Sequence, residues 1–142
     1  MPEVLALSLN VNGLQTKQHT FTHVVLIEFL RWKREYGMGI LCIQDHRIPP
    51  SRERDITRLA KLKGMTLHIT FGKQVNNTYY GGVLILTDDA VLTVKSVLHR
   101  LPDLLRITAA MGDVELDIAS VYAPSDPQER TNFFKEIKAK NL

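Results

Sequence analysis

Cysteine is nearly missing from this chain: Cys42 stands alone among 142 residues. A lone cysteine excludes an internal disulfide framework and any zinc site built on several thiolates. It suits a reducing compartment, so an intracellular location, nucleus or cytoplasm, is expected. Long apolar runs are missing too, since none reaches the roughly 18 residues of a membrane span, and no membrane partner is expected. The start, Met1-Pro2-Glu3, has no basic segment leading into an apolar one, so no secretory leader is expected. Charge of one sign is not in great excess. A formal net charge of +3 and a pI near 9.1 permit an anionic partner without requiring one. Repeats and low-complexity tracts are absent. What remains is 44% hydrophobic and 23% charged, ordinary for a globular chain long enough for one domain and one core.

The first patterned stretch is Leu5 to Leu14. Leu5, Leu7, Leu9 and Val11 alternate with Ala6, Ser8, Asn10 and Asn12, which predicts a strand ending in two carboxamides before Gly13. After a polar segment, Gln15 to Thr22, the period changes. Phe21, Val24, Val25, Phe29, Trp32 and Tyr36 predict an amphipathic helix, capped by Thr20 or Thr22 and stopped by Gly37. Ile40-Leu41-Cys42-Ile43-Gln44-Asp45 is an apolar run that again ends polar, and it reads as a buried strand. His46-Arg47-Ile48-Pro49-Pro50 must be a loop. Ser51 is placed to cap a helix reaching Lys63, with Ile56, Leu59 and Leu62 inward. Leu67, Ile69 and Phe71 alternate as a strand, Gly72 to Tyr80 reads as a polar loop, and Gly82 to Thr87 as a buried strand. Leu104–Met111 and Val114–Ala123 predict a hairpin across Gly112-Asp113. Asp126-Pro127-Gln128-Glu129 opens a last helix carrying Phe133, Phe134 and Ile137. The class is mixed α/β, with a sheet partly covered by helices.

Gathered from the strand ends, the polar set is Asn10, Asn12, Asp45 and Tyr122. Oxygen donors suit a hard divalent cation, and magnesium takes one or two carboxylates while keeping several waters. Asp45 fits such a ligand, and the Asn10 carbonyl oxygen fits a second contact or an orienting group. A tyrosine hydroxyl donates to a phosphate oxygen as charge develops there. No general base stands beside them. His46 follows Asp45 directly and on a strand would face the other way, and His19, His23, His68 and His99 lack a motif around them.

Four stretches then resemble motifs of the endonuclease/exonuclease/phosphatase superfamily, in order and with matching spacing over nearly the whole chain. They are Leu7-Ser8-Leu9-Asn10-Val11-Asn12-Gly13-Leu14, Ile40-Leu41-Cys42-Ile43-Gln44-Asp45-His46, Tyr80-Gly81-Gly82-Val83-Leu84-Ile85-Leu86, and Ser120-Val121-Tyr122-Ala123-Pro124. The nearest likeness within it is the apurinic-type endonuclease domain of non-LTR retrotransposons. The resemblance implies a four-layer α/β sandwich of the DNase I-like type, of which residues 1–142 would be the N-terminal part. It implies magnesium-dependent hydrolysis of DNA phosphodiesters. Asn10 would take the position of the catalytic-site asparagine, Asn12 that of a residue often aspartate, Asp45 that of the metal-binding glutamate, and Tyr122 that of the phosphate-contacting tyrosine.

Two departures qualify the expected activity. Asp45 is one methylene shorter than glutamate, which retracts the carboxylate by about 1.5 Å. Nothing after Tyr122 matches the family's Gly-Asp-x-Asn motif, whose Asp and Asn are catalytic, or its Ser-Asp-His motif, which supplies the general base and its partner. The expectation is therefore an inactive fragment whose C-terminal half is a missing partner, with weak or absent Mg2+ binding. The rivals are a non-catalytic relic or binding module and an active phosphodiesterase with an atypical site. The strands led by Leu5 and Ile40 are expected to be adjacent, parallel and central. The chain is expected to supply one sheet and little of a second, leaving the Leu5, Leu7 and Leu9 face partly uncovered and prone to self-association.

Overall fold

The computed structural model describes residues 3–14 and 25–140. In chain order the elements are β1 (Leu5–Asn10), α1 (Leu26–Tyr36), β2 (Met38–Gln44), α2 (Glu53–Leu62), β3 (Met65–Ile69), β4 (Lys73–Val75), β5 (Thr78–Tyr80), β6 (Val83–Asp88), β7 (Thr93–Leu101), β8 (Leu104–Met111), β9 (Val114–Val121) and α3 (Pro127–Ala139). They form a four-stranded sheet in the order β1-β2-β6-β3, a three-stranded sheet β7-β8-β9, and a small ribbon β4-β5.

β1 and β2 are adjacent and parallel, with Ala6 opposite Ile40 and Asn10 opposite Gln44. Only β2 is central. Among the described residues β1 is an edge strand, while β2 lies between β1 and β6. Their sequences carry the reason. Every residue of β2 and β6 is buried, as an unbroken apolar run requires, whereas β1 alternates and none of its residues is buried. Leu7 and Leu9 pack against the core from that edge, and Leu5 stays exposed.

The alternation of side chains gives the first sheet two cores. On one face Leu41, Ile43, Leu84 and Leu86 meet Leu26 and Phe29 of α1 and Ile56 and Ala60 of α2. On the other, Ile40, Cys42, Val83 and Ile85 meet Leu105, Ile107, Ala109 and Met111. The second sheet is thus real, contrary to the expectation of little more than one. β7 pairs with β8 along its length, and the predicted β8–β9 hairpin completes the meander. α3 lies on the outer face of that sheet, where Phe134 and Ile137 share a groove with Leu104, Ala119 and Val121. Helices, sheet, sheet and helix make four layers, although α3 buries no residue fully.

Local chemistry accounts for the element ends. Gly37 adopts φ 71° and its N–H closes α1 onto Lys33. The proposed start of that helix, with Thr20, Phe21, Thr22 and Val24, lies outside the described residues, as does the polar segment before it. Tyr36 is exposed and does not join the buried stripe. Ser51 sits within a single 3-10 turn, Pro50–Arg52, and makes no cap bond, because proline sets that turn before the α-helix begins. Leu62 faces solvent. Six residues from Ile56 is one and two-thirds turns, so Ala60 is the residue that returns to the core. The expected polar loop after Phe71 is a hairpin, β4–β5, turning on Asn76 at φ 56°. Asp126 caps α3 as expected, accepting from the Glu129 N–H at 2.9 Å. No described helix is long and apolar enough to cross a membrane.

Candidate functional site

β2 stops at Gln44, and the next residues leave the strand in left-handed steps, Asp45 at φ 56° and Arg47 at φ 57°. This loop is laced on both sides. Val11 N–H donates to the Gln44 carbonyl (3.1 Å), Gly13 N–H to that of Asp45 (2.7 Å) and Leu14 N–H to that of His46 (2.9 Å). From the other side, the Arg47 N–H donates to the Gly81 carbonyl at 3.1 Å. Three of the four motif stretches therefore meet here. Tyr122 joins them from the end of β9, its N–H donating to the Asp103 carbonyl at 2.9 Å. Beneath, the Gln44 carboxamide donates to Ser8 Oγ (3.0 Å) and Ser120 Oγ (3.1 Å), tying β1 to β2 and the first sheet to the second.

Asp45 is fully buried. Its Oδ1 accepts from the Gly81 N–H at 2.9 Å and from Arg47 Nε at 3.1 Å, and its Oδ2 accepts from Arg47 Nη2 at 3.0 Å. The last two form a planar fork, the strongest geometry a carboxylate offers a guanidinium. A second carboxylate works alongside: Asp103 Oδ1 accepts from the Gly82 N–H at 3.0 Å. Two successive amides are thus each held by an acid. That arrangement needs glycine at both positions. Gly81 and Gly82 have φ 82° and 84°. A Cβ on Gly81 would fall 2.6 Å from Asp103 Oδ1, and one on Gly82 2.6 Å from His46 Nε2.

The electrostatics follow from this crowding. Burial raises the Asp103 carboxyl above its usual range and the Asp45 charge adds to that, against the Gly82 hydrogen bond that lowers it. Burial also raises the Tyr122 hydroxyl; the Asp45 charge adds to the rise and Arg47 opposes it, so this group stays a phenol. His46 is fully buried, and desolvation pushes it down to about 4. Its Nε2–H donates to the Thr70 carbonyl at 2.7 Å and its Nδ1 accepts from the Ile48 N–H at 2.8 Å, which fixes the tautomer. It is a satisfied scaffold histidine, not a base, as expected, but the expected reason, strand alternation away from Asp45, does not apply because β2 has ended at Gln44. Asn10 and Asn12 stand exposed at the rim. The Asn10 Oδ1 accepts from the Asn12 N–H at 3.2 Å, and Asn12 adopts φ 49°.

A divalent cation does not fit this donor set. Among the described residues no group of three or more histidine, cysteine, aspartate or glutamate side chains is arranged to hold a metal. Asp45 already carries three hydrogen bonds and a guanidinium counter-charge, and the Asn10 oxygen turns to its own backbone.

Solved structures share this architecture. Humanized D. rerio TDP2 carrying 14 mutations superimposes with a TM-score of 0.60 at 14% identity, over 95% of this chain and 58% of that one. D. rerio TDP2 complexed with single strand DNA product gives 0.59 at 15%, over 95% and 53%. The endonuclease domain of TRAS1, a telomere-specific non-LTR retrotransposon, gives 0.58 at 18%, over 98% and 55%. An endonuclease/exonuclease/phosphatase family protein from Leptotrichia buccalis gives 0.51 at 14%, over 92% and 60%. The fold is that of the endonuclease/exonuclease/phosphatase domains. The chain spans little more than half the length of the first three of these structures. The sequence matches no protein-family model and no curated protein.

On this endonuclease/exonuclease/phosphatase scaffold, sequence reasoning brought Asn10, Asn12, Asp45 and Tyr122 to one end of the sheets and missed two residues there. Arg47 carries a readable signal: an arginine two positions after an acid, in a loop that must turn, can fold back on it. Asp103 carries none. It lies in the turn between β7 and β8, 58 residues from Asp45, and only the packing of the two sheets brings it near.

Proposed function

We propose that these residues are the N-terminal part of an endonuclease/exonuclease/phosphatase-type domain that engages the phosphodiester backbone of DNA, and that the 142-residue chain alone binds without cleaving. The observation that carries this is the convergence of 11–14, 45–47, 80–82 and Tyr122 on one rim, with hydroxyl, carboxamide and guanidinium donors together. Hydrolysis needs a held phosphate, an activated water and a stabilised leaving oxygen. Tyr122, Asn10 and Asn12 suit the first and third. For the second, the acids and the histidine described at this rim are each engaged, Asp103 by the Gly82 N–H. His46 is a buried neutral strut, and Asp45 is engaged by Arg47 and Gly81. A missing base removes about 10²–10⁴-fold of rate.

In this reading, residues beyond Leu142 would supply the base in a complete domain, where magnesium-dependent cleavage of DNA is the expected reaction. Magnesium binding by the present chain is weak or absent. The binding-module reading is favoured by one feature, the locking of Asp45 by Arg47. Self-association belongs to the same proposal. Among the described residues the edge strand β1 is open, and Leu5, Val97, Leu101, Val121 and Phe134 are exposed apolar groups that further chain or a second copy would cover.

The test is nicking of supercoiled plasmid and of abasic-site duplex in excess magnesium. Background rates are expected. Nicking that disappears in Asp45→Ala and survives a distant surface substitution would overturn the non-cleaving reading.

A further inference from the structure

A divalent ion binds a carboxylate through the same oxygen lone pairs that a guanidinium fork uses. At Asp45 that fork is closed: Nε and Nη2 of Arg47 take both oxygens at 3.1 and 3.0 Å, while the Gly81 amide takes a further lone pair at 2.9 Å. Arg47 is itself built in. Its guanidinium lies 5.1 Å from the centre of the Tyr80 ring, and its Cδ rests where a side chain on Gly13 would be, 2.9 Å from the Cβ position. Aromatic stacking on one side and glycine on the other fix a side chain that otherwise has many rotamers. Yet the group is not sealed off, for 30% of the side chain is exposed, and among the described residues Nη1 donates to no protein acceptor.

We propose that Arg47 is the resident cation of this site: it takes the carboxylate lone pairs that a divalent ion would need, and it meets a phosphodiester oxygen with its free Nη1 N–H groups, without a metal. Asp45 is then a positioning residue that aims the guanidinium and not a metal ligand. The shorter side chain of aspartate belongs to this arrangement, since Arg47 folds back two residues to form the fork on Asp45, itself at φ 56°. Tyr122, held as a phenol, offers a second donor beside it. The exclusion of the ion stands on the geometry of Asp45 and Arg47 alone, whereas the identity of the anion rests on the DNA reading above.

Two measurements on the full chain separate these halves. In the first, Mn2+ is titrated and free ion is followed by its paramagnetic resonance signal. The wild type should leave free Mn2+ undepleted, Arg47→Gln should acquire one bound ion, and adding Asp45→Asn to it should abolish that uptake. Stoichiometric Mn2+ on the wild type, lost in Asp45→Asn, would overturn the proposal, and so would Arg47→Gln remaining unable to bind. In the second, a fluorescein-labelled single-stranded oligonucleotide is titrated in EDTA and in magnesium. Equal affinity in both buffers is expected, with about a tenfold loss in Arg47→Gln, the size of one charge-assisted contact. A requirement for magnesium would overturn the metal-free reading. Absence of DNA binding in any buffer would overturn the DNA reading and the phosphate half with it, leaving the Mn2+ result to decide the cation half. If Arg47→Gln does not fold, the wild-type results still decide, and Arg47→Lys, which keeps the charge without the fork, should weaken DNA binding as well.

Discussion

The ends of β1 and β2 look alike as sequence and differ as structure. Each is an apolar strand finishing in polar groups. Asn10 and Asn12, at the end of the edge strand, are exposed, and the one bond between them runs from the Asn12 N–H to Asn10 Oδ1. Asp45 and His46, one strand further in, are fully buried, and every polar atom of either that forms a bond here bonds to a different part of the chain or to the turn it shapes. A polar strand end on an edge is available to a ligand. The same feature inside a sheet must first satisfy its own desolvated groups, and it becomes scaffold. Arg47 is the link between the two, anchored in the inner end and open toward the outer.

The sharpest way to break this comparison is to remove one acid. Asp45→Ala strips the acceptor from the Gly81 N–H and leaves the guanidinium unpaired, so a loss of about 4 kcal/mol is expected from urea unfolding. A loss under about 1 kcal/mol would mean that the inner end is not scaffold.

A pH titration of stability tests the same end without mutation. His46 is pushed from 6.5 down to about 4, so below its ordinary range the unfolded chain takes up a proton that the folded chain refuses. Its contribution is complete above pH 6.5 and is lost as pH falls toward about 4, amounting to about 3 kcal/mol for a shift of this size. His46→Gln should flatten the profile in that window. The outer end, residues 10–14, has no titratable side chain and contributes nothing there.

Gly82→Ala sharpens the comparison by asking how tightly the inner end is packed. A left-handed φ together with a Cβ 2.6 Å from His46 Nε2 should cost about 2 kcal/mol, read as a lowered Tm. An unchanged Tm would show that the imidazole can move aside. The smallest effect belongs to the outer end. Asn10→Ala should change stability by no more than about 0.5 kcal/mol while weakening oligonucleotide binding. A larger stability loss with binding intact would reverse the two roles.

Much of the fold was legible because its signals are local. The alternation of Leu5 to Val11, the unbroken run from Ile40 to Ile43, the Gly112-Asp113 turn and the Asp126 cap each act within a few residues, and each element formed. The errors arose where a choice depends on distant partners. β1 became an edge because nothing described pairs beyond it, and the second sheet grew from β7, a strand that only its pairing with β8 defines. The site divides the same way. Asn10, Asn12, Asp45 and Tyr122 were visible as strand-end polar residues, whereas the Asp45–Arg47 fork and the acid at Asp103 were not.

The sequence by itself determined which residues stand at the strand ends, because hydrophobic period and turn chemistry are properties of neighbours along the chain. It also determined that Gly81-Gly82 can take two left-handed steps in succession. Only the tertiary structure decided what the polar ends do. Burial against a second sheet turned Asp45 from a potential metal ligand into an anchor, and set the arginine two residues on in the ion's place, because a desolvated carboxylate takes the nearest cation that can reach it.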